Sequence, residues 1–201
     1  MHSTHFSRAH RTLLVTLSGL GFGALPYFAS AELLHIESHR IQWTGSMPAQ
    51  AHHGLLTPQN IELSINENGT IEKLHAVMDM GLIDVTDLKD GKMRDKLIAH
   101  LKSDDFFAVT SHPTAEFVME SHEGQMLSGK LIIRGIEKPL QIPVDLKRSN
   151  NGGWSLSGAF EFNRHDFDVK YQNKGLFSTA KDKLIRDEIQ VEVNLSAVSA
   201  E

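Results

Sequence analysis

The chain contains no cysteine. That excludes disulfides, thiolate metal centres and a cysteine nucleophile, and it removes the residue to which a lipoprotein anchor would be attached. Basic residues are in deficit: 20 Lys and Arg stand against 25 Asp and Glu in 201 residues, for a formal charge of −5. With no basic cluster, nucleic acid and anionic membrane surfaces are poor partners. Catalytic signatures are missing too. There is no Gly-x-Ser-x-Gly elbow, no glycine loop to cradle a phosphate and no His-Glu-x-x-His. No internal repeat or low-complexity tract occurs, and the one long apolar run, residues 13–25, is too short to span a bilayer comfortably.

That run has the flanks of an export leader. Arg8 and Arg11 precede it, and Ala29-Ser30-Ala31 follows with the small residues a signal peptidase needs. The expectation is a cleaved signal peptide over residues 1–31 and one periplasmic domain over 32–201, with an uncleaved N-terminal anchor as the plainer alternative. Setting the leader aside removes two Arg and no acid, which takes the charge from −5 to −7 and leaves 170 of the 201 residues. A domain of that size can bury a core without disulfides.

Apolar residues on every second position dominate what remains. Ala115, Phe117 and Met119 share one parity, as do Leu127, Gly129, Leu131 and Ile133, and then Leu140, Ile142, Val144 and Leu146. Successive strand side chains point to opposite faces, so each run describes a strand with one apolar and one wet face. Turn residues separate the runs, notably His122-Glu123-Gly124-Gln125 and Gly135-Ile136-Glu137-Lys138-Pro139. Upstream, Leu34 and Ile36 change phase before Ile41 and Trp43, the mark of a bulge. Residues 45–58, with His52-His53-Gly54, read as loop. Ile61, Leu63 and Ile65 pair through Asn66-Glu67-Asn68-Gly69 with a return strand through Leu74, Ala76, Met78 and Met80. Met93, Leu97, Ile98 and Leu101 recur at helical spacing, giving one short amphipathic helix of about three turns. Downstream, Trp154, Leu156, Gly158, Phe160, Phe162 and Arg164 share a parity; Phe167, Val169 and Tyr171 form another alternating run; Ile189, Val191, Val193, Leu195 and Ala197 form the last.

About eight strands joined by short turns imply an all-β antiparallel sheet. Without helices to cover it, the sheet closes into a barrel or folds into two layers. An eight-stranded barrel either fills with its own side chains or holds one small ligand, and parity alone leaves both open.

Three stretches resemble the YceI-like polyisoprenoid-binding proteins: His100-Leu101-Lys102-Ser103-Asp104-Asp105-Phe106-Phe107 with His112-Pro113-Thr114-Ala115-Glu116-Phe117; Gly129-Lys130-Leu131-Ile132-Ile133-Arg134-Gly135-Ile136-Glu137-Lys138-Pro139; and Phe160-Glu161-Phe162-Asn163-Arg164-His165-Asp166-Phe167-Asp168-Val169-Lys170-Tyr171. Their order and spacing agree with that family. Trp43-Thr44-Gly45 and Asp182-Lys183-Leu184-Ile185-Arg186-Asp187 are similar to one subgroup of it, which has Gly near the position of Asn173. The resemblance implies a lipocalin-like barrel whose elongated cavity holds an isoprenoid or other long-chain amphiphile in the periplasm.

On that reading Phe117, Met119, Leu131, Ile133, Phe160, Phe162, Phe167 and Val169 line the ligand space, with Tyr171 continuing the last run. Flat Phe and adaptable Met suit a flexible chain. Leu101, Phe106 and Phe107 belong at a barrel end, as a plug or as a cap. Arg164 falls on the inward parity, where an unpaired charge is costly, so it pairs with an acid (Asp79, Asp166 or Asp168) or meets a ligand head group. Nine His follow the leader; His35 and His39 would share a strand face and His52-His53 are adjacent, yet no metal-ligand spacing appears. Asp104-Asp105 reads as a solvated turn. The expectation is a non-enzymatic lipid carrier with no cofactor and no metal, no stable membrane insertion, and homodimerisation through an exposed strand left open. Its rivals are an enzyme acting on such a lipid, with Arg164 and a nearby Asp or His as acid and base, and a ligand-free stress-related scaffold.

Overall fold

The computed structural model describes residues 32–47, 50–150, 152–171 and 186–199. The expected leader and Asn173 lie outside these residues, as do 182–185 of the tail motif.

Eight strands make one closed antiparallel barrel in sequence order: β1 (Glu32–Met47), β2 (Gln50–Ile65), β3 (Ile71–Asp79), β4 (Thr114–Glu123), β5 (Met126–Ile133), β6 (Ile136–Arg148), β7 (Trp154–Asn163) and β8 (Glu188–Ser199). β8 closes the ring against β1. Period-2 patterning predicts this architecture, because each strand's apolar parity is the buried one: Leu127, Leu131 and Ile133 on β5, Ile142 and Val144 on β6, Val191 and Leu195 on β8. The expected phase change in β1 is a register shift between Ile36 and Ser38. The single helix, α1 (Gly91–Lys102), starts where the Asp90 carboxylate accepts the Lys92 amide at 2.9 Å. No helix among the described residues is long and apolar enough to cross a membrane.

Two expectations fail locally. Residues 45–58 are not a loop: β1 runs on to Met47, β2 begins at Gln50, and Trp43 pairs with Gly54. The His, Gly, Thr and Pro that suggest a loop sit in a backbone ladder that does not depend on side-chain type. Conversely, Phe167, Val169 and Tyr171 do not form a strand. Arg164–Phe167 is a 3-10 turn capped by Asn163, and Asp168 has φ 61° in the left-handed region that Asp tolerates. Phe167 and Val169 are buried within this irregular segment, so alternating burial there mimics strand parity.

The ring is incompletely laced. β6 pairs with β7 only from Val144 to Arg148, so β6 residues 136–143 and β7 residues 159–163 have no partner in each other. The Val144 amide donates to Gln125 at 2.8 Å. Amides alternate direction along a strand, so the odd-numbered positions of β6 face β7, and two of these are Pro139 and Pro143, which have no N–H to give. A second gap separates the start of β3 from the end of β4, which pair only through His75–Asp79 and Thr114–Val118. There the His122 Nδ1 accepts the Ile71 amide at 2.9 Å and spans the gap.

Candidate functional site

The barrel end that carries α1 is built by a close approach that only glycine permits. A Cβ on Gly54 would lie 1.7 Å from the Asp84 carbonyl oxygen. Residues 83–87 therefore lie along β2 as if they were a further short strand. The Asp84 amide donates to Leu55 O at 3.0 Å, the Thr86 amide to His53 O at 2.9 Å, and the Trp43 indole N–H to Asp84 O at 3.0 Å. This arrangement sets Asp87 against His52: one carboxylate oxygen bonds Nδ1 at 2.8 Å and the other accepts the His53 amide at 3.0 Å. Burial pushes the Asp87 carboxyl up, but these hydrogen bonds pull harder and hold it below the ordinary carboxylate value.

Above this, Leu101, Phe106 and Phe107 are buried, with the two Phe rings edge to face at 4.8 Å. Arg134, at φ 53° in the β5–β6 turn, donates to the carbonyls of Asp104 and Phe106 and so pins that segment to the barrel. Beneath it lies a hollow of about 260 Å³. Its ceiling comes from α1 (Leu97, His100, Leu101) and the Phe pair, and its walls include Trp43, Leu56, Met80 and Val191. A second, almost wholly apolar hollow of about 110 Å³ lies deeper, between Ala76, Phe117, Leu131 and Phe160. Leu56, Phe162 and Val191 line both, so the two are stacked along the barrel with the Phe162 ring at their junction. Phe162 is braced edge-on by Phe167 at 5.5 Å. Gly129 makes room for the deeper hollow's wall, because a Cβ there would meet the Phe117 ring at 2.8 Å. The far end is packed with Leu34, Leu63, Ile65, Ile71 and Ala197.

The residues singled out by sequence divide three ways. Phe106, Phe107, Ile133, Phe162 and Tyr171 line the upper hollow. Phe117, Leu131 and Phe160, with Phe162 again, line the deeper one. Met119, Arg164, Phe167 and Val169 line neither. Phe167 and Val169 belong to the packed core around the upper hollow, and Met119 is half-buried against the far-end core. Arg164 is fully buried, and none of the three acids anticipated for it is its partner. It donates to the carbonyls of Val169 (3.0 Å), Tyr171 (2.7 Å) and Arg186 (3.2 Å), with the Asp187 carboxylate at 3.6 Å. Burial draws its pKa down while Asp187 opposes the shift.

Sequence reasoning did not assign Trp43, His52, Leu56, Leu97 or His100 to the ligand space. Trp43 and Leu97 carried a signal in their periodicity; His52 and Leu56 were concealed in a stretch read as loop. The bulge in β1 separates His35 from His39 in phase, and among the described residues no group of three His, Asp or Glu is placed to hold a metal.

Comparison with known proteins agrees with this architecture. The family model for the YceI-like domain matches residues 36–197. Among solved structures, Burkholderia cenocepacia BcnA aligns with TM-score 0.62 at 18% identity, over 80% of this chain and 96% of its own. A polyisoprenoid binding domain from Saccharophagus degradans implicated in plant cell wall breakdown aligns with TM-score 0.60 at 12% identity, over 85% and 99%. The Campylobacter jejuni YCEI protein aligns with TM-score 0.55 at 16% identity, over 96% and 100%. At these identities the likeness is one of fold. No curated protein sequence matches the chain.

Proposed function

The chain belongs to the YceI-like family, and on that premise we propose that it holds a long-chain amphiphile of isoprenoid type non-covalently inside the barrel, as a periplasmic carrier or store. One observation carries the reading: two stacked hollows meet at Phe162, and the wall of the upper one has no Lys, Arg, Asp or Glu among the described residues. Burying a hydrocarbon tail there contributes about 0.8 kcal/mol per methylene before the cost of association, so tight holding needs few polar contacts. The S. degradans relative, described as a polyisoprenoid binding domain, supports the choice of ligand class. The basic and apolar composition of residues 1–31 supports export. No cofactor enters this scheme.

Organic extraction of the purified protein followed by mass spectrometry tests it. The expected result is a long-chain lipid in stoichiometric amount. Chemical conversion of that lipid on incubation would favour an enzyme instead, and an empty extract from protein that also takes up no added lipid would favour a scaffold.

A further inference from the structure

Among the described residues, the polar side chains on the wall of the upper hollow are Ser46, His52, His100 and Tyr171. His100 is packed edge-on against Tyr171, ring centroids 4.1 Å apart, with its Nε2 enclosed. His52 is differently placed, because both of its ring nitrogens are committed. The Gln50 side-chain amide nitrogen lies 2.9 Å from Nε2. The Asp87 carboxylate can only accept, so the ring proton sits on Nδ1, and in the neutral imidazole Nε2 offers a lone pair toward the Gln50 amide. Asp87 in turn is fixed by the His53 amide, on a segment tied to β2 by backbone hydrogen bonds. A carboxylate behind an imidazole holds both its tautomer and its orientation. The wall of the upper hollow therefore carries an imidazole whose orientation is fixed by Asp87, with the side chain of exposed Gln50 beside its Nε2.

We propose that His52, held by Asp87, is the head-group residue of this barrel, and that it selects an uncharged long-chain amphiphile bearing a hydroxyl, an alcohol or a phenol, whose O–H replaces the Gln50 amide at Nε2. The assignment rests on the carrier reading above and adds the chemistry of the head to it. A phosphate or carboxylate head would find no Lys or Arg on the described wall, and an ether has no proton to donate.

The test uses the full-length protein loaded with a fluorescent apolar probe, from which a C15 prenol, its methyl ether and its monophosphate compete. The prenol is expected to displace the probe at about tenfold lower concentration than either analogue, the discrimination one satisfied hydrogen bond supplies. In His52→Phe and in Asp87→Leu the prenol-to-ether ratio should fall to about one. Equal potency of prenol and ether on the unaltered protein, strongest displacement by the monophosphate, or a ratio that survives both substitutions overturns the assignment while leaving the carrier reading in place. Failure of the unaltered protein to take up the probe or any of the three compounds overturns both. If the variants do not fold, the ratio measured on the unaltered protein decides.

Discussion

Two arginines close the helix-bearing end of the barrel by reaching backbone carbonyls. Arg134 fastens the segment bearing Phe106, and Arg164 joins Val169 and Tyr171 on one side to Arg186 on the other. Inward parity identified Arg164 as buried, but its acceptors are backbone carbonyls, which no side-chain spacing points to. Because three carbonyls and Asp187 depend on it, Arg164→Leu should lower unfolding free energy by about 3 kcal/mol or more in denaturant titration, contrary to a head-group role that would leave stability unchanged. Asp87 supplies a pH-dependent counterpart. Its folded pKa is depressed relative to the ordinary 3.8, so its contribution is complete above that value and vanishes as pH falls through the lower folded value. Asp87→Asn should flatten the acid limb of a plot of thermal midpoint against pH below about 4, as followed by circular dichroism.

At the scale of elements, parity located β3 to β8 because one face of each is apolar and the other wet. It did not resolve the start of β2. Gly54 is there because the Asp84 carbonyl lies against it, and His52 because Asp87 does; both are answers to a segment 30 to 35 residues away in the chain. The two prolines of β6 were legible as residues but not as a gap, since only the register shows which neighbour they fail to bond. Hydrogen exchange followed by NMR checks that register. The amides of Gln141 and Glu161, which face each other across the unlaced stretch, should exchange at least about a hundredfold faster than those of Asp145 and Ser157, which are paired.

For the whole molecule, the residue pattern showed an antiparallel sheet with one apolar face, and the family resemblance implied its closure, while the choice between solid core and hollow depended on how side chains from eight strands and one helix meet. The deeper hollow survives because Phe117 stands beside small residues, paired across the sheet with Ala76 and with its ring against Gly129. Filling the deeper hollow should shorten the accommodated tail. Ala76→Phe is expected to fold, and native mass spectrometry against prenols of increasing length should show its cutoff shifted to shorter chains than that of the unaltered protein.

The missing rungs between β6 and β7 also bear on how wide the vessel is. A barrel whose hydrogen bonds run unbroken around every level has a fixed girth, set by strand number and stagger. Here the slit at the helix end has no β6–β7 backbone rung and, among the described residues, only the Arg134–Asp168 ion pair at 3.9 Å near its rim, whereas the slit at the opposite end is crossed by the hydrogen bond from the Ile71 amide to His122. On the carrier reading proposed above, the end with fewer backbone rungs to break is the one through which a ligand would enter.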